Sequence, residues 1–280
     1  MTDERRLGQR ALADLADVPA TSRWVSAGSL RLHVLDYGGA NLPPLLVIPG
    51  ITTPAVGMDF VARELTDLAR PVVLDVRGRG LSDDGPATLD AFADDVAAVV
   101  AGLGLERPVL LGHSMGARIA AVAAARGAVR GSVLVDPPMS GPGRGPYPTT
   151  LPAFLEQLAE ARRGTTAAEV ARFWPRWPER ELGLRARWLA SCAEAAVAGT
   201  HAGFEGEDFF AVWPSVPAPS VLIHGAESPV VTAEGAAEAA EANPAASVVS
   251  VAGAGHMVFW DEPATALATT RAALTSVLNA

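Results

Sequence analysis

The fold of this chain is decided by one stretch, Val109-Leu110-Leu111-Gly112-His113-Ser114-Met115-Gly116-Ala117. An apolar run ends there in the pattern Gly-x-Ser-x-Gly and passes directly into an Ala-rich segment. This order predicts a strand, a sharp turn and a helix. Because a serine at the apex of so tight a turn crowds its neighbours, Gly112 and Gly116 would relieve the crowding and leave the Ser114 hydroxyl exposed. The stretch therefore predicts that Ser114 is a nucleophile.

Short apolar runs rich in β-branched residues lie on both sides of this stretch and alternate with helical patterns. The runs occupy residues 45–48, 72–74, 109–111 and 133–135, and the helical patterns occupy about 57–69, 88–103 and 115–126. Strands that are buried on both faces and joined by helices predict a parallel sheet. Ligand chemistry in such sheets lies beyond the C-terminal strand ends, so we expect functional residues directly after these runs.

The N-terminal part of the chain has a different pattern. The segment from Asp3 to Asp17 places apolar residues at helical spacing and predicts a short amphipathic helix. The segments 24–27 and 30–37 surround a Gly-containing turn, and the second alternates apolar with polar residues. They predict an antiparallel pair of strands at the edge of the sheet.

The alternation of strands and helices stops after residue 138. Residues 139–150 are a Pro- and Gly-rich linker, and residues 151–212 have a helical pattern rich in Trp and Phe. The alternation then resumes, with predicted strands at 220–223 and 247–251 and predicted helices at 232–242 and 261–278. We therefore expect an α/β core, residues 1–138 and 214–280, and a helical cap, residues 139–213. The cap is inserted after the sixth strand of a mostly parallel, eight-stranded sheet flanked by helices.

Composition and charge exclude several classes of protein. The 280 residues carry a formal net charge of −9 and no dense basic cluster, which argues against a nucleic-acid partner. The single cysteine, Cys192, excludes an intrachain disulfide and a Cys-based metal site. All basic residues are arginine, so the chain has no lysine for Schiff-base chemistry. We expect a small-molecule substrate and no metal or cofactor.

The sequence gives no sign of a membrane segment. Residues 1–6 are charged and lead to no apolar stretch typical of a secretion signal. No run of about 18 apolar residues follows anywhere in the chain. We therefore expect a cytoplasmic protein with no membrane partner.

A serine nucleophile needs a general base, and five histidines are available. His256 lies in a loop of small residues, 252–257, between the last predicted strand and the last predicted helix. Glycines at positions 253 and 255 would let this loop bend toward a distant serine, so we predict that His256 is the base. The other four are better explained as structural, surface or pocket-lining residues: His33, His113, His201 and His224.

Three motifs together resemble the α/β-hydrolase superfamily. They are the pattern around Ser114, the loop from Asp75 to Asp83 and the segment from Gly253 to His256, in the correct order and spacing. The similarity covers most of the chain outside the cap. It implies an α/β-hydrolase fold, a catalytic triad in the order Ser, Asp or Glu, His, and a mainly structural role for the Asp75 loop.

The acid is where this chain departs from the superfamily pattern. Most members carry it in a Gly-x-x-Asp motif after a late strand, whereas the chain reads Gly225-Ala226-Glu227-Ser228 there. A serine at position 228 cannot hold the negative charge that stabilises an imidazolium. Asp136, after the run 133–135, occupies an alternative location that some members use, and we predict that it is the acid. Glu227, one residue out of register, is the less favoured alternative.

The resemblance also implies an oxyanion hole made by two backbone amides. One belongs to Met115, directly after the nucleophile, and the other to the loop after the third strand, where Ile51 is the best candidate. Thr52 and Thr53 follow Ile51 and are expected to line the substrate pocket. His113, beside the nucleophile, is a further candidate for the pocket wall.

The serine nucleophile indicates the reaction class, which is transfer of an acyl group to water from an ester, a thioester, an amide or an activated C–C bond. Dehalogenation and epoxide opening are disfavoured, because the members of this superfamily that catalyse them use an aspartate nucleophile. A narrower resemblance, to the N-formylmaleamate deformylase family, is carried by residues 135–144, residues 49–52 and the Trp- and Arg-rich cap. It implies hydrolysis of an N-formyl amide of a small dicarboxylate derivative. Between residues 140 and 187 arginines outnumber acidic residues by three, which suits an anionic substrate. A carboxylesterase, a C–C bond hydrolase and a catalytically slow small-molecule receptor remain as alternatives.

Overall fold

One eight-stranded sheet organises the computed structural model, which describes residues 9–127 and 129–280. The strand order is β1-β2-β4-β3-β5-β6-β7-β8; β2 pairs antiparallel with β1 and β4, and the other neighbours are parallel. The strands are β1 Thr21–Ala27, β2 Leu30–Asp36, β3 Pro44–Ile48, β4 Arg70–Leu74, β5 Val109–His113, β6 Gly131–Val135, β7 Ser220–Gly225 and β8 Ser247–Val251. The predicted α/β-hydrolase fold is confirmed, including the antiparallel pair at one edge.

Helices cover both faces of the sheet because successive residues of each central strand point to opposite sides. Leu110 joins the buried cluster on one side of the sheet, while its neighbour Leu111 joins a second buried cluster on the other side. The helices of this core are α1 Gln9–Ala16, α2 Asp59–Arg63, α3 Leu89–Gly102, α4 Met115–Arg126, α9 Ala233–Ala242, α10 Val258–Asp261 and α11 Pro263–Asn279.

One helix prediction was wrong in extent, and another extends past the described residues. The predicted helix over 57–69 is a 3₁₀ turn, Ala55–Met58, followed by the short α2. The predicted helix over 261–278 is confirmed as α11, which begins at Pro263 because a proline at the first helical position needs no amide donor. Residues 3–8 of the predicted N-terminal helix lie outside the described residues, and α1 covers the remainder up to Ala16.

Residues 139–213, here called the helical insert, lie between β6 and β7. They contain the helices α5 Leu151–Arg163, α6 Ala167–Val170, α7 Glu179–Trp188 and α8 Glu194–Gly206. The two ends of the insert meet, since a Cβ atom on Gly141 would lie 2.8 Å from the Glu207 carbonyl oxygen. Only Pro137 and Pro138 separate Asp136 from the first residue of the insert. None of the described helices combines the length and apolar character needed to cross a membrane.

Candidate active site

Ser114 occupies a strained turn between β5 and α4. Its backbone has φ 55° and ψ −120°, a conformation that non-glycine residues rarely adopt. A Cβ atom on Gly116 would lie 1.9 Å from the Ile48 carbonyl oxygen, and one on Gly112 would lie 2.1 Å from the Gly116 carbonyl oxygen. Both glycines therefore have the steric role that the sequence predicts. The turn presents the Ser114 hydroxyl beyond the C-terminal end of β5.

His256 reaches Ser114 from the loop between β8 and α10. Its Nε2 atom lies 3.0 Å from the Ser114 Oγ, and its Nδ1 atom lies 2.7 Å from Oδ2 of Asp136. Because a carboxylate only accepts hydrogen bonds, this contact assigns the proton to Nδ1 and leaves the Nε2 lone pair facing the serine hydroxyl. The arrangement can accept the serine proton.

Asp136 follows β6 directly and is fully buried. Its Oδ1 accepts from the Gly225 amide at 2.9 Å, and its Oδ2 accepts from the Ser228 hydroxyl at 2.6 Å as well as from His256. Ser228 thus donates to the carboxylate from the position where the superfamily pattern places an acid. The Glu227 side chain is exposed, and no hydrogen bond or ion pair joins its carboxylate to His256 within the described residues.

His113 supports the loop that carries His256. Its Nε2 donates to the His256 carbonyl oxygen at 3.0 Å, so Nδ1 is the unprotonated nitrogen; this buried atom has no partner among residues 9–127 and 129–280. Burial, and secondarily the charge of His256, lower the pKa of His113 to about 4. The ring is therefore neutral at neutral pH and does not compete with His256 for protons.

The loop after β3 closes the other side of the site. The Thr53 amide donates to the Gly50 carbonyl at 3.1 Å, which forms a tight turn around Ile51, and the buried Arg79 donates through Nε to the Ile51 carbonyl at 3.0 Å. Gly50 approaches closely, since its Cβ atom would lie 3.4 Å from the Ser114 Cβ. Met115 is the first residue of α4, where an amide has no intrahelical acceptor. Both predicted oxyanion residues therefore flank Ser114.

A cavity of about 90 Å³ lies over the Ser114 hydroxyl. All three residues predicted for the pocket line it: Thr52, Thr53 and His113. Side chains of the helical insert complete the wall, among them Tyr147, Phe154, Gln157, Trp174 and Arg185. No cluster of three or more metal-ligating side chains occurs in the described part of the chain.

Tyr147 is a site residue that sequence reasoning missed. Its hydroxyl lies 3.2 Å from His256 Nε2 and also forms a hydrogen bond with Ser114. Burial raises the pKa of the Tyr147 hydroxyl, so it remains a hydrogen-bond donor at neutral pH. The residue belongs to the Pro- and Gly-rich linker, and its position between Pro146 and Pro148 is the one local signal that its backbone is held rigidly.

The sequence of the chain is similar to that of known proteins. A sequence model of the family described as "Alpha/beta hydrolase family" matches residues 45–270 of the chain. The chain is 42% identical to the N-formylmaleamate deformylase of Pseudomonas putida, over 85% of this chain and 90% of that protein. It is 30% identical to the 2-(acetamidomethylene)succinate hydrolase of Mesorhizobium japonicum, over 88% and 92% of the two chains.

A solved structure agrees with the sequence comparison. The crystal structure of an N-formylmaleamic acid deformylase from Pseudomonas putida matches with a TM-score of 0.84 and 38% identity. The match covers 89% of this chain and 99% of that one. The similarity therefore extends across the sheet and the helical insert.

Proposed function

The chain belongs to the alpha/beta hydrolase family, and on this premise we propose that it is a serine hydrolase with a triad of Ser114, His256 and Asp136. The observation that carries the proposal is the continuous chain of hydrogen bonds, 3.0 Å from serine to imidazole and 2.7 Å from imidazole to carboxylate. Nε2 of His256 can accept the serine proton, and the Asp136 carboxylate accepts the hydrogen bond from Nδ1, as nucleophilic catalysis requires. Within the described residues, the exposed Glu227 forms no such hydrogen bond with His256.

The mechanism proceeds through an acyl-enzyme. Ser114 attacks the substrate carbonyl while His256 accepts its proton, and Asp136 stabilises the imidazolium that forms. The amides of Ile51 and Met115 bind the oxyanion, and His256 then donates the proton to the leaving group. Water, activated by His256, hydrolyses the acyl-enzyme and regenerates the serine.

The substrate that we propose is a small N-formyl amide of the N-formylmaleamate type. Two relatives that cover most of the chain are named for N-formylmaleamate and 2-(acetamidomethylene)succinate, and both compounds carry a short N-acyl group. A cavity of about 90 Å³ suits an acyl group of this size. Attack on the formyl carbon would break its bond to nitrogen and give a formyl-enzyme and maleamate, whose nitrogen takes the proton from His256. Water would then hydrolyse the formyl-enzyme and release formate.

Active-site labelling tests the proposed nucleophile. We expect a fluorophosphonate probe to label the protein, and we expect Ser114→Ala to abolish labelling and to lower formate release from N-formylmaleamate by about 10⁴-fold or more. The matched control is Ser215→Ala, because Ser215 is exposed and its hydroxyl donates to the nearby Val212 carbonyl. It should keep both labelling and turnover.

Substrate scope separates the alternatives. Faster release of alcohol from short esters than of formate from N-formylmaleamate would indicate a carboxylesterase. Absence of both labelling and turnover would reject the hydrolase mechanism and favour a receptor of hydrolase fold.

A further inference from the structure

Arg185 is the basic side chain that the helical insert brings to the cavity over Ser114. It lies on α7, and its Cζ atom is 5.7 Å from the ring centroids of both Trp174 and Trp177. One terminal nitrogen donates to Gln157 Oε1 at 2.9 Å, and the other lies 3.5 Å from Thr52 Oγ1. The aromatic rings and Gln157 therefore hold the guanidinium in one orientation.

This guanidinium has no acidic partner within the described residues, although acidic partners are common in the insert. Arg162 pairs with Glu194 and Arg187 pairs with Asp14. Burial lowers the pKa of Arg185 to about 10, and no carboxylate opposes that effect, yet the group stays protonated at neutral pH. A desolvated cation without a counter-ion opposes folding, and the two indole rings offset only part of this cost.

The position of the cation relates it to the reacting carbonyl. Arg185 approaches Thr52, which directly follows the proposed oxyanion donor Ile51, and all three residues line the same cavity as Ser114. Because Arg185 and Ser114 line the same small cavity, one compact molecule can place an anion on the guanidinium and a carbonyl at Ser114. The planar guanidinium can bind a carboxylate through two parallel hydrogen bonds.

We propose that Arg185 binds a carboxylate of the substrate and selects small acyl amides that carry this group a few bonds from the carbonyl attacked by Ser114. The inference rests on the proposed function, because Ser114 defines the reacting end of the cavity. The substrate carboxylate is the counter-ion that Arg185 lacks within the described residues. Gln157 fixes the plane of the guanidinium that binds this carboxylate.

Paired substrates and matched variants test this assignment. The substrates are N-formylmaleamate and the N-formyl amide of isocrotonic acid, in which a methyl group replaces the carboxylate. We expect the wild type to favour the carboxylate in kcat/KM by about 100-fold, within the range of charge-assisted hydrogen bonds. Arg185→Met should lower kcat/KM for N-formylmaleamate by at least about tenfold and change the methyl substrate by less than about threefold. Arg162→Met, a control in the same insert, should keep the preference.

A lysine variant distinguishes recognition from packing. Arg185→Lys keeps the charge without the planar fork, so it should retain an intermediate preference for the carboxylate. Equal loss on both substrates in Arg185→Met, or an undiminished preference, would overturn the proposal. Should Arg185→Met fail to fold, Arg185→Lys decides, because an unchanged preference there would also count against a bidentate carboxylate site.

Binding without turnover separates this inference from the proposed function. Maleamate should bind the Ser114→Ala variant in isothermal titration calorimetry, and binding should weaken at least about tenfold when Arg185→Lys is added. A wild type that hydrolyses neither amide but binds maleamate through Arg185 would reject the proposed reaction and keep the carboxylate site. A wild type that hydrolyses both amides equally would support the proposed reaction and reject the carboxylate site.

Discussion

Asp136 combines a strained backbone with a carboxylate whose two oxygens both accept hydrogen bonds. Its φ is +50°, a conformation that costs a non-glycine residue about 1–3 kcal/mol and persists only where the surroundings enforce it. The surroundings do so, because the Gly225 amide, the Ser228 hydroxyl and His256 Nδ1 all donate to its carboxylate. The result is a carboxylate whose orientation is fixed before substrate binds.

Replacement of this carboxylate tests its role as the acid. In Asp136→Asn an amide group faces donors on two sides, so the imidazole loses the partner that holds the proton on Nδ1. We expect kcat to fall by about 10⁴-fold, as in triads whose histidine adopts the wrong tautomer. Steady-state kinetics on N-formylmaleamate measures the loss, and circular dichroism verifies the fold.

Glu227→Gln is the matched control for that substitution. Within the described residues no hydrogen bond or ion pair joins the exposed Glu227 side chain to His256, so kcat of Glu227→Gln should stay within about twofold of the wild type. If Glu227→Gln were the crippling change and Asp136→Asn were tolerated, the assignment of the acid would be wrong.

Local sequence reaches only part of this site. Ser114, His256 and Asp136 could be predicted because each sits at a strand end or in a loop whose glycines and strand pattern are visible in the sequence. Tyr147 and Arg185 could not, because their place over the serine depends on how the insert packs across the sheet. No short-range pattern encodes that packing.

At the level of elements, the contact between β5, α4 and β3 controls the turn at Ser114. Gly116, the second residue of α4, lies so close to the end of β3 that the two backbones are in contact. The sequence predicted this turn well because sterics demand glycine there. It overestimated the length of α2, because apolar spacing does not distinguish a short 3₁₀ turn from the start of a longer α-helix.

Gly116→Ala tests the steric argument. Its Cβ would lie 1.9 Å from the Ile48 carbonyl oxygen, so either α4 or β3 has to move. We expect the free energy of unfolding, measured by urea denaturation, to fall by about 3 kcal/mol, at the upper end of overpacking effects. Gly206→Ala is the control, since a Cβ there meets no atom within 4 Å and should change stability by less than about 1 kcal/mol. Equal effects of the two substitutions would contradict the steric argument.

At the scale of the whole molecule, the insert shares its interior with the sheet. On one face Phe154 and Phe204 belong to the same buried cluster as Leu134, and on the other Trp177 stacks on Trp260 at 5.1 Å. Asp14 of α1 also accepts hydrogen bonds from two residues of α7. The division into a core, residues 1–138 and 214–280, and a cap, residues 139–213, remains a prediction.

Shared packing predicts one cooperative unfolding transition. Four of the six tryptophans lie in the insert, so tryptophan fluorescence reports mainly on that region, whereas far-UV circular dichroism reports on all helices and strands. We expect the two urea transitions to coincide within the error of the fits. A fluorescence transition at lower urea would show that the insert unfolds separately and behaves as an independent domain.

The two prolines between Asp136 and the insert have a consequence for protein engineering. Each proline ring fixes its φ angle, so the pair forms a stiff joint between Asp136 and the first loop of the helical insert. An insert grafted from a relative at residue 139 would therefore change the pocket wall while the joint keeps the acid in place. Substrate range and catalytic geometry become separable design problems at this joint, provided that both prolines are kept.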